Sequence, residues 1–211
     1  YQEIEGLPEG SYEVSLQGFQ RPTWHDACQA AWGTDAKEAQ VTAYAYGNDG
    51  SVKLHHCYDE VFDEPMQAEG WGKDVQLSLP NDELRNGKYA LDALTGTHKA
   101  FEEGHFENKF VCYVKADGKL RVGVRMTEDA GLSGDWTTYD NFRLKYLGAE
   151  DMTGAVSALE ARIADAKVLL DDVETLTTKA AKDALQKAIA DATAALEAEL
   201  TQESYAINSE A

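Results

Sequence analysis

At Gly148 the spacing of apolar residues along this chain changes, and that change restricts the fold more than any other feature. Before it, apolar residues recur at every second position, the pattern of a strand with one buried face. After it they recur at alternating steps of three and four, the pattern of a helix packed on another helix. One regular architecture cannot satisfy both periods. The chain therefore reads as two regions, 1–148 and 149–211, and the expected class is mainly β: an antiparallel β-sandwich followed by a C-terminal α-helical hairpin.

In the first region Tyr12, Val14 and Leu16 alternate with Glu13, Ser15 and Gln17, in a strand ending near Phe19. Val41, Ala43 and Ala45 alternate likewise, and Gly47-Asn48-Asp49-Gly50 supplies residues that accept positive φ before Val52 and Leu54 return. That combination predicts a hairpin. A second hairpin is expected from Phe110 to Lys115, turning at Ala116-Asp117-Gly118 and returning through Leu120, Val122, Val124 and Met126. A last strand from Trp136 to Leu147 places Phe142, Leu144 and Tyr146 on one face, while 81–103 is less regular and reads as short helical turns. In the second region Val156, Leu159, Ile163, Ala166 and Leu170 form one seam, and Ala181, Leu185, Ala188, Ala192 and Leu196 form another. Thr177 or Thr178 can cap the second helix and Thr201 a short third one. Two such helices bury little by themselves, so they need a partner surface.

Charge narrows the partners. Against 38 acidic residues stand 19 Lys and Arg, a net of −19, which repels nucleic-acid phosphates and anionic membrane surfaces. From Glu150 onward 13 acidic residues face 5 basic ones, which the solvated faces of the helices explain. No apolar run approaches the roughly 20 residues that span a bilayer. The opening at Tyr1, already strand-like and without methionine or leader, suggests a piece of a longer protein. The three cysteines are too few for a disulfide framework. Cys112 alternates with Phe110 and Val114 and reads as a small buried hydrophobe. Cys28 and Cys57 fall in expected loops, where a bridge or two free thiols both fit.

The strand region resembles the galactose-binding-like jelly-roll modules repeated in surface and secreted proteins of gut bacteria. The resemblance rests on Gly6-Leu7-Pro8-Glu9-Gly10-Ser11-Tyr12-Glu13-Val14 leading to Gln17-Gly18-Phe19, on Asp117 to Val124, and most specifically on Asp135 to Gly148, where Tyr139-Asp140-Asn141-Phe142-Arg143-Leu144 forms a closing strand. It covers most of 1–148 except the middle loops. It implies a jelly-roll sandwich lacking its first strand, a secreted or cell-surface location, and a glycan as ligand. It also implies a structural calcium held in part by Asp140. The tail resembles FIVAR-type repeats ("found in various architectures") over Leu159 to Leu170, Thr178 to Ala192 and Thr201-Gln202-Glu203, with the third helix truncated. Such repeats serve as adapters beside the other domains of a parent protein.

Candidate ligand residues follow from loop placement. If the strands ending near Phe19, starting near Val41 and ending near His56 are sequential antiparallel neighbours, loops 20–39 and 57–76 emerge at one end, and Trp24, His25, Trp32, Tyr58 and Trp71 gather there. Flat aromatic faces beside hydrogen-bonding groups such as Asp26 and Asp59 are what a sugar ring needs, whereas Asn48 falls at the opposite end. Packing of those rings onto the sandwich is the competing reading. His25-x-x-Cys28 and His55-His56-Cys57 lack zinc-finger spacing, and adjacent strand histidines face opposite ways, so zinc is not expected. Glu60, Asp63 and Glu64 form a loop run of acids rather than a paired catalytic set, and no nucleophile elbow or phosphate loop is present. The expected function is a non-catalytic carbohydrate-binding module with a helical adapter. A spacer or protein-interaction module without a glycan site is the alternative, and a glycoside hydrolase fragment with its own activity ranks third.

Overall fold

The computed structural model describes residues 1–36, 40–70, 72–127, 133–171, 178–198 and 200–209. Along them run β1 (Gln2–Ile4), β2 (Gly10–Arg21), α1 (His25–Ala31), β3 (Ala43–Gly47), β4 (Gly50–Lys53), β5 (His55–His56), β6 (Val75–Gln76) and β7 (Tyr89–Ala90). There follow α2 (Leu94–Glu102), β8 (Glu107–Val114), β9 (Leu120–Met126), β10 (Trp136–Gly148), α3 (Thr153–Asp171), α4 (Lys179–Glu197) and α5 (Gln202–Asn208). Helix and strand claim similar shares of these residues, so the whole chain is a mixed fold of mostly antiparallel sheets and helices.

Two sheets face each other. One has the order β1-β9-β3-β4; in the other, β2 is flanked by β10 on one side and by β8 and β5 on the other. Tyr12, Val14 and Leu16 of β2 join Phe110, Cys112 and Val114 of β8 against Ala43, Ala45, Leu120 and Val122 of the opposing sheet. The period-2 alternation thus points these residues inward. Phe19 projects from the other face of β2 into a second core with Cys28, Cys57, Tyr58, Leu91, Phe101 and Phe106. Tyr113, pointing opposite to Cys112, enters a third core with Ala155, Leu159, Ile163, Ala192 and Tyr205 from the three C-terminal helices. The sheet built on β2 is therefore a middle layer.

The first expected hairpin forms: Gly47 pairs with Gly50, and Asn48 takes φ 48° at the turn. The second does not. β8 pairs with β2 and β9 with β1 and β3, so the 116–118 turn carries the chain from one sheet to the other. The buried Gln20 amide also stitches the layers. Its Oε1 accepts from the backbone N–H groups of Thr42 and Ala43 at 2.7 and 2.9 Å, and its Nε2 donates to Asp135 at 2.6 Å. β10 lies along an edge; Phe142, Leu144 and Tyr146 remain partly exposed, and Asn141 (φ 58°) sits in an irregularity between Asp140 and Arg143.

The helices find their partner surface on the middle layer. Thr178 caps α4 by accepting from Ala181 N, and Thr201 forms a capping box with Ser204; Thr177 lies outside the described residues. At the junction Ser11 Oγ accepts from Gly154 N at 3.1 Å and donates to Asp151 O at 2.5 Å. Gly154 is required by this approach, because a Cβ there would overlap the Cys112 carbonyl. Gly154→Ala should therefore cost about 1–3 kcal/mol through overpacking. In a denaturant titration its far-UV helical signal should be lost below the tryptophan fluorescence transition, since every tryptophan precedes Gly148. Coincident transitions at the wild-type midpoint would contradict this docking.

Candidate functional site

The loops after β2 and β5 do emerge at one end, but β3 does not lie between the two strands: it belongs to the other sheet, and β5 pairs with β2 directly. β5 runs parallel to β2, with Phe19 opposite His55 and Gln20 opposite His56, so both strands finish together. The residues delivered there separate into a buried network and an open cleft.

Tyr58 is 0% exposed and His25 7%, so neither presents a ring to solvent. They bond to each other: His25 Nδ1 lies 2.9 Å from the Tyr58 hydroxyl, and Tyr58 also donates to the His25 carbonyl at 3.3 Å. Burial pushes the Tyr58 phenol well above its ordinary range. His25 Nε2 lies 3.5 Å from the carboxylate of Asp92, which pairs with Arg21. Arg21 further donates to the Gly134 carbonyl and lies over the rings of Trp24 and Trp136. A buried cation with this many partners is a structural anchor.

Trp24 and Trp32 bracket α1 at its two ends, so they do not form one platform. Two helical turns separate them by about 12 Å. Trp24 is 60% exposed and donates from Nε1 to Ser133 Oγ at 3.3 Å. Trp32 is half-buried; its ring packs beside His56 and Tyr58, and the Arg85 guanidinium lies 5.0 Å from its centre. Its Nε1 donates to Asp82 Oδ2 at 2.9 Å, and Arg85 holds the same carboxylate at 3.1 Å. The indole N–H and then the guanidinium keep the Asp82 carboxyl below its usual range. Trp32 thereby forms a wall of a cleft of about 660 Å³, with Gln29, Thr34, Ser78, Asn81, Asp82 and Glu83 among its lining. Trp71 lies outside the described residues.

Neither Asp82 nor Arg85 stood out in the sequence. The only signal was their three-residue spacing within the irregular 81–103 stretch. Asp26 is exposed on α1, while Asp59 accepts from His56 N and pairs with His55. Asn48 is at the opposite end, where its Nδ2 donates to the carbonyls of Tyr113 and Lys119.

Asp140 is exposed and accepts from Asn141 N at 2.7 Å, holding the strand irregularity. Among the described residues no group of three or more His, Cys, Asp or Glu side chains is placed to hold a metal. One carboxylate cannot supply the six to eight oxygens calcium takes, so these residues do not fit the expected ion. Two of the loop acids are also engaged. Glu60 accepts from Phe106 N at 2.5 Å and lies 2.6 Å from His105 Nδ1, and Asp63 pairs with Lys88. Cys28 lies on α1 rather than in a loop, and Cys28, Cys57 and Cys112 are all buried free thiols. Burial alone pushes the Cys112 thiol up to about 12.

No protein-family model, curated protein or solved structure matches this chain.

His55, beneath this end, gives a pH signature. The Asp59 carboxylate at 3.2 Å, with the Glu107 carbonyl at 3.1 Å and the nearby Glu60 charge, raises its pKa. A raised folded-state pKa adds stability that is complete below the unfolded value of roughly 6.5 and fades as pH climbs through the folded value. Urea titrations of wild type and His55→Gln should show a stability gap that narrows as pH rises from about 5 to 9. A gap that stays constant or widens would contradict it.

Proposed function

We propose that this chain is a non-catalytic carbohydrate-binding module whose ligand enters the Trp32 cleft, with the C-terminal helices as an adapter to other domains of a parent protein. The observation that carries this reading is the Trp32 indole, held in place by Asp82 and Arg85, beside the polar groups of a cleft of about 660 Å³. That volume falls within the few hundred to about 1,000 Å³ of small-molecule sites. An aromatic face takes the C–H side of a sugar ring, and side chains such as Gln29, Thr34 and Asn81 offer donors and acceptors for hydroxyls. The finer identities fit this reading: a galactose-binding-like jelly roll before Gly148, a FIVAR-like tail after it, and a secreted or cell-surface protein. Among the described residues no helix is long and apolar enough to cross a membrane.

Charge selects the sugar class. Among the described residues the cleft lining includes Asp82, which Arg85 pairs, and Glu83, and no Lys, Arg or His, within a chain of net −19. Sialylated, sulfated and uronic-acid glycans would meet repulsion, so the ligand is a neutral glycan. Single-site affinity is weak, because one ring face repays little of the lost translational freedom.

A purely architectural role is the second reading, favoured by the burial of Tyr58 and His25, which removes two expected contacts from the rim. A glycan array of the full chain separates the two, with binding to neutral oligosaccharides expected. In calorimetry on a bound glycan, Trp32→Ala should weaken affinity about tenfold, on the order of 1.4 kcal/mol, and Trp24→Ala should leave it unchanged. Because Trp32 also packs inward, Asn81→Ala at the rim provides a milder variant with the same direction of effect. Silence across neutral and charged glycans would leave the spacer reading.

A further inference from the structure

Two of the three thiols meet in the core. Cys57 follows directly on β5, its N–H donating to the Gln20 carbonyl at 2.9 Å, and Cys28 lies on α1, its sulfur 3.4 Å from the Thr23 carbonyl. Chain positions three residues apart at the exit of β2 thus anchor the two cysteines in one core. Both belong to the core around Phe19 and both are 0% exposed, and each thiol shifts the titration of the other. The Cys57 sulfur also lies 3.7 Å from His56 Nδ1. Cys112 is in the other core, between the sheets.

We propose that Cys28 and Cys57 are a redox pair that closes to a disulfide, tying α1 to the end of β5 and leaving Cys112 as the free thiol. The oxidant is a small external disulfide. The thiolate of one cysteine attacks one sulfur of that disulfide, forming a mixed disulfide and releasing one small thiolate. The second cysteine's thiolate then attacks the protein sulfur of the mixed disulfide, the Cys28–Cys57 bond forms, and the second small thiolate leaves. Two electrons pass from the protein sulfurs to the external disulfide, and the two cysteine protons end on the two small thiols. The neighbouring Cys57 thiol pulls the Cys28 thiol down while burial pushes Cys57 up, which favours Cys28 as first attacker. Because both sulfurs are buried, exchange takes place during folding or on a local lifting of α1, and the finished bond resists reduction. It holds α1 and, at its C-terminal end, Trp32.

The test refolds the fully reduced chain in a buffer of reduced and oxidised glutathione, then alkylates it under denaturing conditions and maps the peptides. The expected result is one alkylated cysteine, Cys112, and a linked peptide pair containing Cys28 and Cys57; a reductant added before alkylation restores all three thiols. Cys112→Ser should still lose both remaining thiols. Three alkylated cysteines after oxidative refolding would overturn the proposal. So would glutathione retained on Cys28 or Cys57, or a bridge that includes Cys112.

Discussion

The backbone pairing of β2 is the constraint on which the rest of the molecule depends. Its twelve residues bond to β10 along one edge and to β8 and then β5 along the other. A strand paired on both edges and covered on both faces loses nearly all contact with water, as its burial shows. Its inward residues serve the sandwich core through Leu16, and Phe19 on the opposite face seeds the core beneath the site. Gln20 and Arg21 then carry polar bonds outward from its end, one to β3 and one to Asp92. One strand thus links sandwich, site end and helical layer.

Much of this was legible in local chemistry. The alternation of Tyr12, Val14 and Leu16, the Asn48 turn, the helical seams and the Thr178 and Thr201 caps all arise from interactions within a few residues. The path of β8 into β9 was not legible, because Ala116-Asp117-Gly118 serves a hairpin and a crossing between sheets equally well. What decides between them is that β2 offers β8 a free edge nearly a hundred residues back in the sequence. The parallel pairing of β5 with β2 is likewise set by long-range packing.

The site shows the same division. The sequence identified the aromatic residues and the loops that bring them to one end, but it did not sort them by exposure. Tyr58 and His25 bond to each other through the phenol and Nδ1, which lowers the cost of burying them, whereas Trp32 finds Asp82 fifty residues away and stays half-buried. Which polar partner an aromatic side chain meets decides whether it becomes core or wall, and that partner is not visible in local spacing. Trp24, bracketing the other end of α1, rests on Ser133 and Gly134 and is not among the residues that line the cleft.

Native-state hydrogen exchange of the full chain tests the role of β2 most directly. Amides of β2 that bond to β8 and β10 should exchange only through global unfolding, with the same free energy along the strand, while those of α4 and α5 exchange through smaller openings. Exchange of the β2 amides through local fluctuations, with the slowest amides found elsewhere, would contradict the account.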